Sequence, residues 1–324
     1  MAITTSPTDT APDPVWWRRA PSLRLQRAFA WAAVITNGLI AVTGATVRVT
    51  GSGLGCPTWP ECVPGSLVPV SRADLSTFHL AIEFGNRTLT SVVLIASLGT
   101  FALIWLAKPR RRSLVLLAAV LPAGVLFQAI WGGIVVLAGL AWWTVAPHLL
   151  ISLVLLFVSI VVLVRLDETD GPPVRVVPRP LQLLSWATVC VLVALCIAGT
   201  LVTAAGPHGG DDQTPRLDLP VRVLAQIHAD LMFTYLGLLI AMTVGFLAVR
   251  APRKLMTRAY LLIAVTAAQG SIGLIQYATG VPEALVVAHV LGAVLLTATA
   301  AGVVLATRTR GQLSASRSAP IPGR

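Results

Sequence analysis

Charged residues are scarce in this chain of 324 residues. Only 11% of the residues are Asp, Glu, Lys or Arg, and lysine occurs at just two positions. So few charged residues do not supply enough polar surface to cover a water-soluble globular protein of this size. The composition therefore excludes an ordinary soluble enzyme or binding domain and directs attention to what the chain has in excess.

Long apolar stretches dominate the sequence. Hydrophobic residues make up 56% of the chain and the mean hydropathy is +0.81. A helix needs about 20 apolar residues to cross a bilayer core of about 30 Å. Eight stretches qualify: residues 26–48, 79–106, 114–138, 144–164, 181–203, 222–249, 256–278 and 284–306. We predict an all-α integral membrane protein with eight transmembrane helices and both termini on one side.

The basic residues predict the orientation of these helices. Most of the 24 Lys and Arg residues fall before span 1, between spans 2 and 3, 4 and 5, or 6 and 7, and after span 8. These five segments lie on the same side of an eight-helix protein, and basic loops are typically cytoplasmic. We therefore expect a multi-pass plasma membrane protein with cytoplasmic termini. The net charge of +11 requires no nucleic-acid partner.

The chain divides into two halves of four spans each. Residues 166–180 contain four prolines and three acidic residues and form the only linker-like stretch in the middle of the chain. We predict a disordered cytoplasmic arm over 1–25, an N-terminal half over 26–165, a cytoplasmic linker over 166–180, a C-terminal half over 181–306 and a cytoplasmic tail over 307–324. Because each half crosses the membrane an even number of times, the halves are expected to form two parallel, pseudo-repeated four-helix bundles.

A repeated segment supports this division. Gln128 precedes His148 by 20 residues, and Gln269 precedes His289 by the same distance, with a glycine four residues after each glutamine. In the second half, His228 lies 41 residues before Gln269; the matching position in the first half is Asn86. The second half thus presents two membrane histidines on alternate helices, and the first presents His148 opposite an asparagine.

Histidines inside hydrophobic helices are costly and usually functional. Two imidazoles facing each other across a four-helix bundle are suited to be axial ligands of heme iron. His228 and His289 are therefore candidate heme ligands, with His148 at the repeated position. Alternatively, these histidines hydrogen-bond to neighbouring helices or relay protons in a transporter.

One carboxylate, Glu83, lies within the apolar spans of the first half. His79, Glu83 and Asn86 fall within an arc of about 60° on span 2 and share one face. Glu83 can exchange protons there, or it can pair with Arg87 or Arg48. Those two arginines lie near outer helix ends, where they bind heme propionates or extend to the membrane surface.

Two cysteines lie in the first outer loop. Cys56 and Cys62 are close in sequence and on the oxidising side of the membrane, which favours a disulfide. The stapled loop is either structural or redox-active.

Several motifs together resemble bacterial heme A synthases of the actinobacterial type. They are Gly51-Ser52-Gly53-Leu54-Gly55-Cys56-Pro57 with Trp59-Pro60 and Cys62, Glu83-Phe84 with Asn86-Arg87, the two Gln…His segments, Ala205-Gly206-Pro207-His208-Gly209, and Gln276-Tyr277 with Thr279-Gly280-Val281-Pro282. The resemblance extends over residues 26–306.

The resemblance implies an enzyme that oxidises the C8 methyl of heme O to the formyl group of heme A for the terminal oxidase. It implies heme b held by His228 and His289, substrate heme held by His148, and Glu83 as the essential carboxylate. Heme O synthase is the expected partner that supplies the substrate, and the sequence does not identify the electron donor. A b-type transmembrane cytochrome that only carries electrons is the alternative.

Asn86 departs from the family pattern, in which many members have a second histidine. Asparagine is a poor iron ligand, so the substrate heme is expected to be five-coordinate on His148, which leaves the open position that oxygen activation requires. His79, on the same face and about 10 Å along the helix, is the alternative second ligand.

Overall fold

Eight long helices form the molecule, as the sequence predicted. The computed structural model describes residues 20–70, 76–211 and 213–311. The helices are α1 (Leu23–Val49), α2 (Thr77–Leu106), α3 (Arg112–Leu137), α4 (Trp142–Asp167), α5 (Arg179–Ala205), α6 (Val221–Ala248), α7 (Arg253–Ala278) and α8 (Glu283–Ala306). Each of the eight is long and apolar enough to cross a membrane. The predicted all-α membrane fold is confirmed, whereas the parallel repeat of the two halves stays a prediction.

Helix starts follow from local sequence. The Ser22 side chain accepts a hydrogen bond from the backbone N–H of Leu25, so α1 begins three residues before the predicted span. Each helix of the second half starts directly after a proline, at positions 178, 220, 252 and 282. Proline is tolerated there because the first turn of a helix leaves its N–H groups without intrahelical partners.

The predicted linker is tied to the end of the chain. Strand β1 (Val174–Arg175) pairs antiparallel with strand β2 (Arg308–Thr309), which follows α8. Asp170 in the linker also forms ion pairs with Arg111 and Arg165. These contacts join the two halves at the basic end of the helices. The predicted arm over 1–19 and the tail beyond 311 lie outside the described residues.

Four apolar clusters form the core, and the smallest, made of Cys56, Cys62, Val63 and Leu80, lies at the first outer loop. One fills the first half between α1, α2, α3 and α4, and one fills the basic-end part of the second half around Tyr235, Met242 and Phe246. The third joins the halves where α8 packs against α1 and α4, with Leu156 and Val294 among its members. The opposite, or outer, end of the helices carries the loops after α1, α3, α5 and α7.

Candidate functional site

Two histidine side chains face each other near the outer end of the second half. His228 on α6 and His289 on α8 each lie about 10 Å along their helices from the outer end, from the helical rise per residue. Their ring centres are 6.2 Å apart. Two metal–nitrogen bonds of about 2 Å each, with roughly 1 Å from each ring nitrogen to its ring centre, span the same distance. The pair is therefore spaced to hold one iron atom between the rings.

The hydrogen bond made by His228 fixes which of its nitrogens is available. Its Nδ1 lies 3.1 Å from the carbonyl oxygen of Leu195 on α5. Because a carbonyl oxygen only accepts, Nδ1 carries the hydrogen and donates it, which leaves the lone pair on Nε2 free. Metal-binding histidines are commonly oriented by such a bond to a backbone carbonyl.

The Nδ1 atom of His289 is buried without a hydrogen-bond partner among the described residues. The same is true of the side-chain oxygens of Gln269 and Gln276, which lie on neighbouring α7. Buried polar atoms are rarely left unsatisfied in a completed structure. These unsatisfied atoms are consistent with a site that a bound non-protein group completes.

Glycines on adjacent helices make room for the rings. A Cβ atom at Gly199 on α5 would lie 3.0 Å from Cε1 of His228, and one at Gly273 on α7 would lie 3.0 Å from Cε1 of His289. Gly132 on α3 stands beside His148 in the same way, at 3.4 Å. Larger residues at these positions would push the rings from their present places.

Paired glutamines hold the helices that carry two of the histidines. The side-chain nitrogen of Gln128 donates to the backbone oxygen of His148 at 2.8 Å, and that of Gln269 donates to the backbone oxygen of His289 at 2.8 Å. The sequence showed the equal spacing but assigned the glutamines no role. Their repetition, 20 residues before each histidine, was the signal that could have revealed it.

The outer part of the second half is incompletely filled by protein. Helix α6 has no buried residue between Leu224 and Tyr235, and α7 has none after Thr266. Toward the basic end, by contrast, the same helices are closed by a dense apolar core. The open portion surrounds the His228 and His289 pair, so the residues present fit a flat macrocycle.

The first half has one histidine at the corresponding level. His148 lies on α4 about 9 Å from the outer helix end, and Asn86, which the predicted repeat matches to His228, lies on α2. The Asn86 side-chain oxygen accepts a hydrogen bond of 2.7 Å from Thr43 on α1. His148 Nδ1 is buried and unpaired in the described part of the chain.

His79, the alternative second ligand, is held by the first outer loop. Its Nδ1 lies 2.9 Å from the backbone oxygen of Gly51 and 3.3 Å from the hydroxyl of Ser52. These contacts hold the ring at the entrance of α2, about 10 Å along the helix from Asn86. Ligation by His79 stays a prediction.

Glu83 is buried under the first outer loop. One carboxylate oxygen accepts a hydrogen bond of 2.7 Å from the backbone N–H of Cys56, and the other accepts from Arg87 at 2.6 and 3.0 Å. The ion pair with Arg87 that the sequence offered as one alternative is thus present. The structure gives Glu83 a position and partners; its catalytic role stays a prediction.

Both predicted propionate-binding arginines have protein partners. Arg87 also donates to the backbone oxygens of Cys56, Thr58 and Glu61, which uses every N–H of its guanidinium. Arg48 at the end of α1 donates to the backbone oxygens of His208 and Thr203 in the second half. Arg48 borders an outer cleft of about 450 Å³ that His79 and His208 also line. Arg48 therefore has access to a ligand, whereas Arg87 holds the loop.

The first outer loop is stapled by the predicted disulfide. Cys56 and Cys62 are bonded and buried, which confirms that prediction. Within the loop, Trp59 packs so closely on α3 that a Cβ atom at Gly133 would lie 2.4 Å from its ring. Glu83 and Arg87 hold the same loop to α2. The loop thus spans α2 and α3 above the first-half site.

His208 joins two loops of the second half. Its Nε2 donates to the backbone oxygen of Val281, just before α8, at 2.9 Å. His208 thus links the loop after α5 to the start of α8.

The fold and site define a polytopic membrane protein with two neighbouring histidine rings in one half and a single buried histidine near the outer helix ends of the other. Residues 27–207 match the family model described as COX15-CtaA, cytochrome oxidase assembly protein. The match covers more than half of the chain, and the chain belongs to this family. The predicted relationship to heme A synthases is therefore confirmed.

Individual proteins similar to this chain carry the name heme A synthase. A protein named heme A synthase from Lysinibacillus sphaericus (strain C3-41) is 33% identical over 175 residues, which are 52% of this chain and 54% of that protein. Another of that name from Shouchella clausii (strain KSM-K16) is 31% identical over 141 residues, 42% of this chain and 43% of the relative. An 89-residue segment, 27% of this chain, is 36% identical to 13% of a protoheme IX farnesyltransferase from Thermus thermophilus. The chain spans about half the length of the two heme A synthases.

Proposed function

We propose that this protein is a heme A synthase, which converts the C8 methyl of heme O to a formyl group by two successive hydroxylations. The 6.2 Å separation of the His228 and His289 rings, in a chain of this family, is the observation that carries the proposal. Each hydroxylation would consume one O2 and two electrons from an external reductant, insert one oxygen atom and release the other as water; the geminal diol formed by the second one loses water to become the aldehyde.

His228 and His289 would hold a resident heme b. When bound, that group supplies reversible one-electron transfer. The protein contributes the hydrogen bond from His228 to Leu195 and the glutamine contact to the His289 helix, which keep both rings facing each other. A group ligated on both faces has no open position, so the second half is suited to pass electrons and not to bind oxygen.

His148 would hold the substrate heme from one side. Thr43 holds the Asn86 amide, which supplies no strong iron ligand. With His148 as its one strong protein ligand, the substrate heme would keep a position for oxygen. Glu83 would exchange protons near this position, and Arg48 would contact substrate carboxylates from the outer cleft.

The electron-carrier alternative fits these observations less well. A carrier that moves electrons across a membrane needs groups near both faces, whereas His148, His228 and His289 all lie within about two turns of the outer helix ends. The relatives named heme A synthase also favour the enzyme.

Pigment extraction from the purified protein tests the proposal. Cells that make heme O should yield protein carrying heme b together with heme O or heme A, and adding a reductant and oxygen should increase heme A. The His148→Ala variant should lose the modified hemes and retain heme b, whereas Cys190→Ser, a change at an exposed position on α5, should retain all of them. Protein that contains only heme b under every condition would contradict the proposal.

A further inference from the structure

Two arginines from different halves border the same outer cavities. Arg48 lies at the end of α1, and Arg216 lies in the loop before α6. Both line the outer cleft of about 450 Å³ and a second, smaller cavity next to it. The two positive charges are close enough to repel each other. Among the residues that the structure describes, neither guanidinium forms an ion pair with an acidic side chain.

Hydrogen bonds to protein leave part of each guanidinium unused. Arg48 donates through Nε and Nη2 to the backbone oxygens of His208 and Thr203, and its Nη1 donates to no described residue. Arg216 donates through Nη2 to the backbone oxygen of Pro207, whereas its Nη1 is buried without a partner in the described part of the chain. Because a buried N–H group normally has an acceptor, the pair has donors left for an anion.

The Arg216 side chain is held in a fixed place. A Cβ atom at Gly209 would collide with its guanidinium, so the group packs directly on the glycine backbone. The same loop is joined to the first outer loop, because the Gly53 N–H donates to the backbone oxygen of Gly210 at 2.9 Å. A donor that is already in place loses little freedom when a ligand binds.

The smaller cavity lies close to the first-half histidine. Val145 and Ala146 on α4 line it, and they precede His148 by three and two residues, or about 4.5 and 3 Å along the helix. The arginine pair therefore lies about one turn outward of His148. A heme carries its two propionates at one edge, so a heme ligated by His148 with that edge outward can place a carboxylate at the pair.

We propose that Arg48 and Arg216 together bind a propionate carboxylate of the substrate heme, so that a loop of the second half completes the substrate site of the first. The inference rests on the proposed function, because it takes the group held by His148 to be a heme. Arginine is suited to this contact, since its planar fork of N–H groups matches the two oxygens of a carboxylate.

The acidic residues nearby favour one side of the pair. Asp211 and Glu283 line the outer cleft, where they would repel a carboxylate, but they do not line the smaller cavity. The carboxylate is therefore expected on the side of the smaller cavity, next to α4.

Porphyrin binding to the purified protein, with heme b in place, tests the contact. The probes are hemin and its dimethyl ester, which has the same ring but no carboxylate, and Soret absorbance measures binding. Wild-type protein should bind hemin at least about tenfold more tightly than the ester, and Arg216→Gln should bind both as weakly as the ester. Arg216→Lys should keep part of the preference. The matched control is Arg222→Gln, at an exposed position near the outer end of α6, which should keep all of it.

Heme b absorbance reports whether each variant is folded. Equal weakening of hemin and ester binding in Arg216→Gln would give this arginine a structural role only and would overturn the inference. A wild type without preference, or an unchanged preference in Arg216→Gln, would also overturn it while leaving the His148 site intact. A second porphyrin that does not bind, or that binds equally well to His148→Ala, would contradict the proposed function as well.

Discussion

The two halves of the molecule use similar helices but pack them differently. In the first half, α1 lies against α4 and α2 against α3 over long stretches, whereas the corresponding pairs α5 with α8 and α6 with α7 touch over much shorter ones. The looser half is the one with two facing histidines. The tighter half has one histidine and an asparagine.

This difference follows from what each half is proposed to hold. A resident heme is part of the core, so the helices around it need not close on each other. A substrate that enters and leaves requires a half that stays folded when empty. The glycines agree with this difference, since Gly199 and Gly273 stand closer to their histidine rings than Gly132 does.

Removing a ligand from the second half should have the largest effect. His289→Ala leaves His228 alone on one side of the iron, so we expect purified protein to lose nearly all heme b and all heme A formation. Absorbance and pigment extraction measure both. The same change at His148 should leave heme b in place. Equal loss of heme b from both variants would contradict the assignment of heme b to the second half alone.

Converting the first half into a copy of the second is the sharpest test of the open position. Asn86→His places an imidazole on α2 at the position that the predicted repeat matches to His228. We expect a six-coordinate, low-spin substrate heme and a fall in heme A formation of at least about tenfold, since oxygen activation requires an open position.

The control for that test is Asn86→Ala, which also loses the bond from Thr43 but supplies no ligand. Electron paramagnetic resonance should show a high-spin substrate heme in this variant and in the wild type. A low-spin wild-type substrate heme that changes in His79→Ala would instead establish His79 as the second ligand.

Glu83 can be tested apart from its structural contacts. Glu83→Gln keeps an oxygen that accepts from Cys56 or Arg87 but cannot exchange protons as a carboxylate does. Because proton transfer by a positioned side chain contributes roughly 10²- to 10⁴-fold, we expect a drop of at least about 100-fold in turnover. Thiol labelling after mild reduction would report whether the Cys56 and Cys62 loop remains in place. Turnover near the wild-type rate would show that Glu83 only positions the loop and takes no part in proton transfer.

The sequence predicted the helices well and the contacts around the site poorly. Span number, approximate helix ends, the disulfide and the position of His148, His228 and His289 near the outer helix ends follow from apolar length, cysteine spacing and residue position. The hydrogen bonds from Arg87 to three loop carbonyls, and those from Arg48 to the second half, could not be predicted from the sequence. These contacts join segments that are far apart in the chain. The pairing of β1 with β2 was missed for the same reason, and two-residue strands leave no periodic pattern.

Loss of one glutamine contact should have a moderate effect in one half only. Gln269→Leu removes the hydrogen bond to the His289 backbone oxygen, and a neutral hydrogen bond contributes about 1 kcal/mol, or roughly fivefold in an equilibrium constant. We expect heme b to transfer to apomyoglobin about fivefold faster. Gln128→Leu is the matched variant, and it should leave heme b transfer unchanged because its partner is His148.

The smallest effect is expected from adding one methyl beside each ring. Gly273→Ala puts a Cβ atom 3.0 Å from His289, so the ring must move by a few tenths of an ångström, whereas Gly132→Ala leaves 3.4 Å to His148. Resonance Raman spectra of the iron–histidine environment should therefore change for heme b in Gly273→Ala and remain nearly constant for the substrate heme in Gly132→Ala. Because a ring ligated on one side only can tilt to relieve crowding, the first half should tolerate the methyl even where contact occurs. The reverse order of sensitivity would mean that the tighter half, not the looser one, is the rigid heme site.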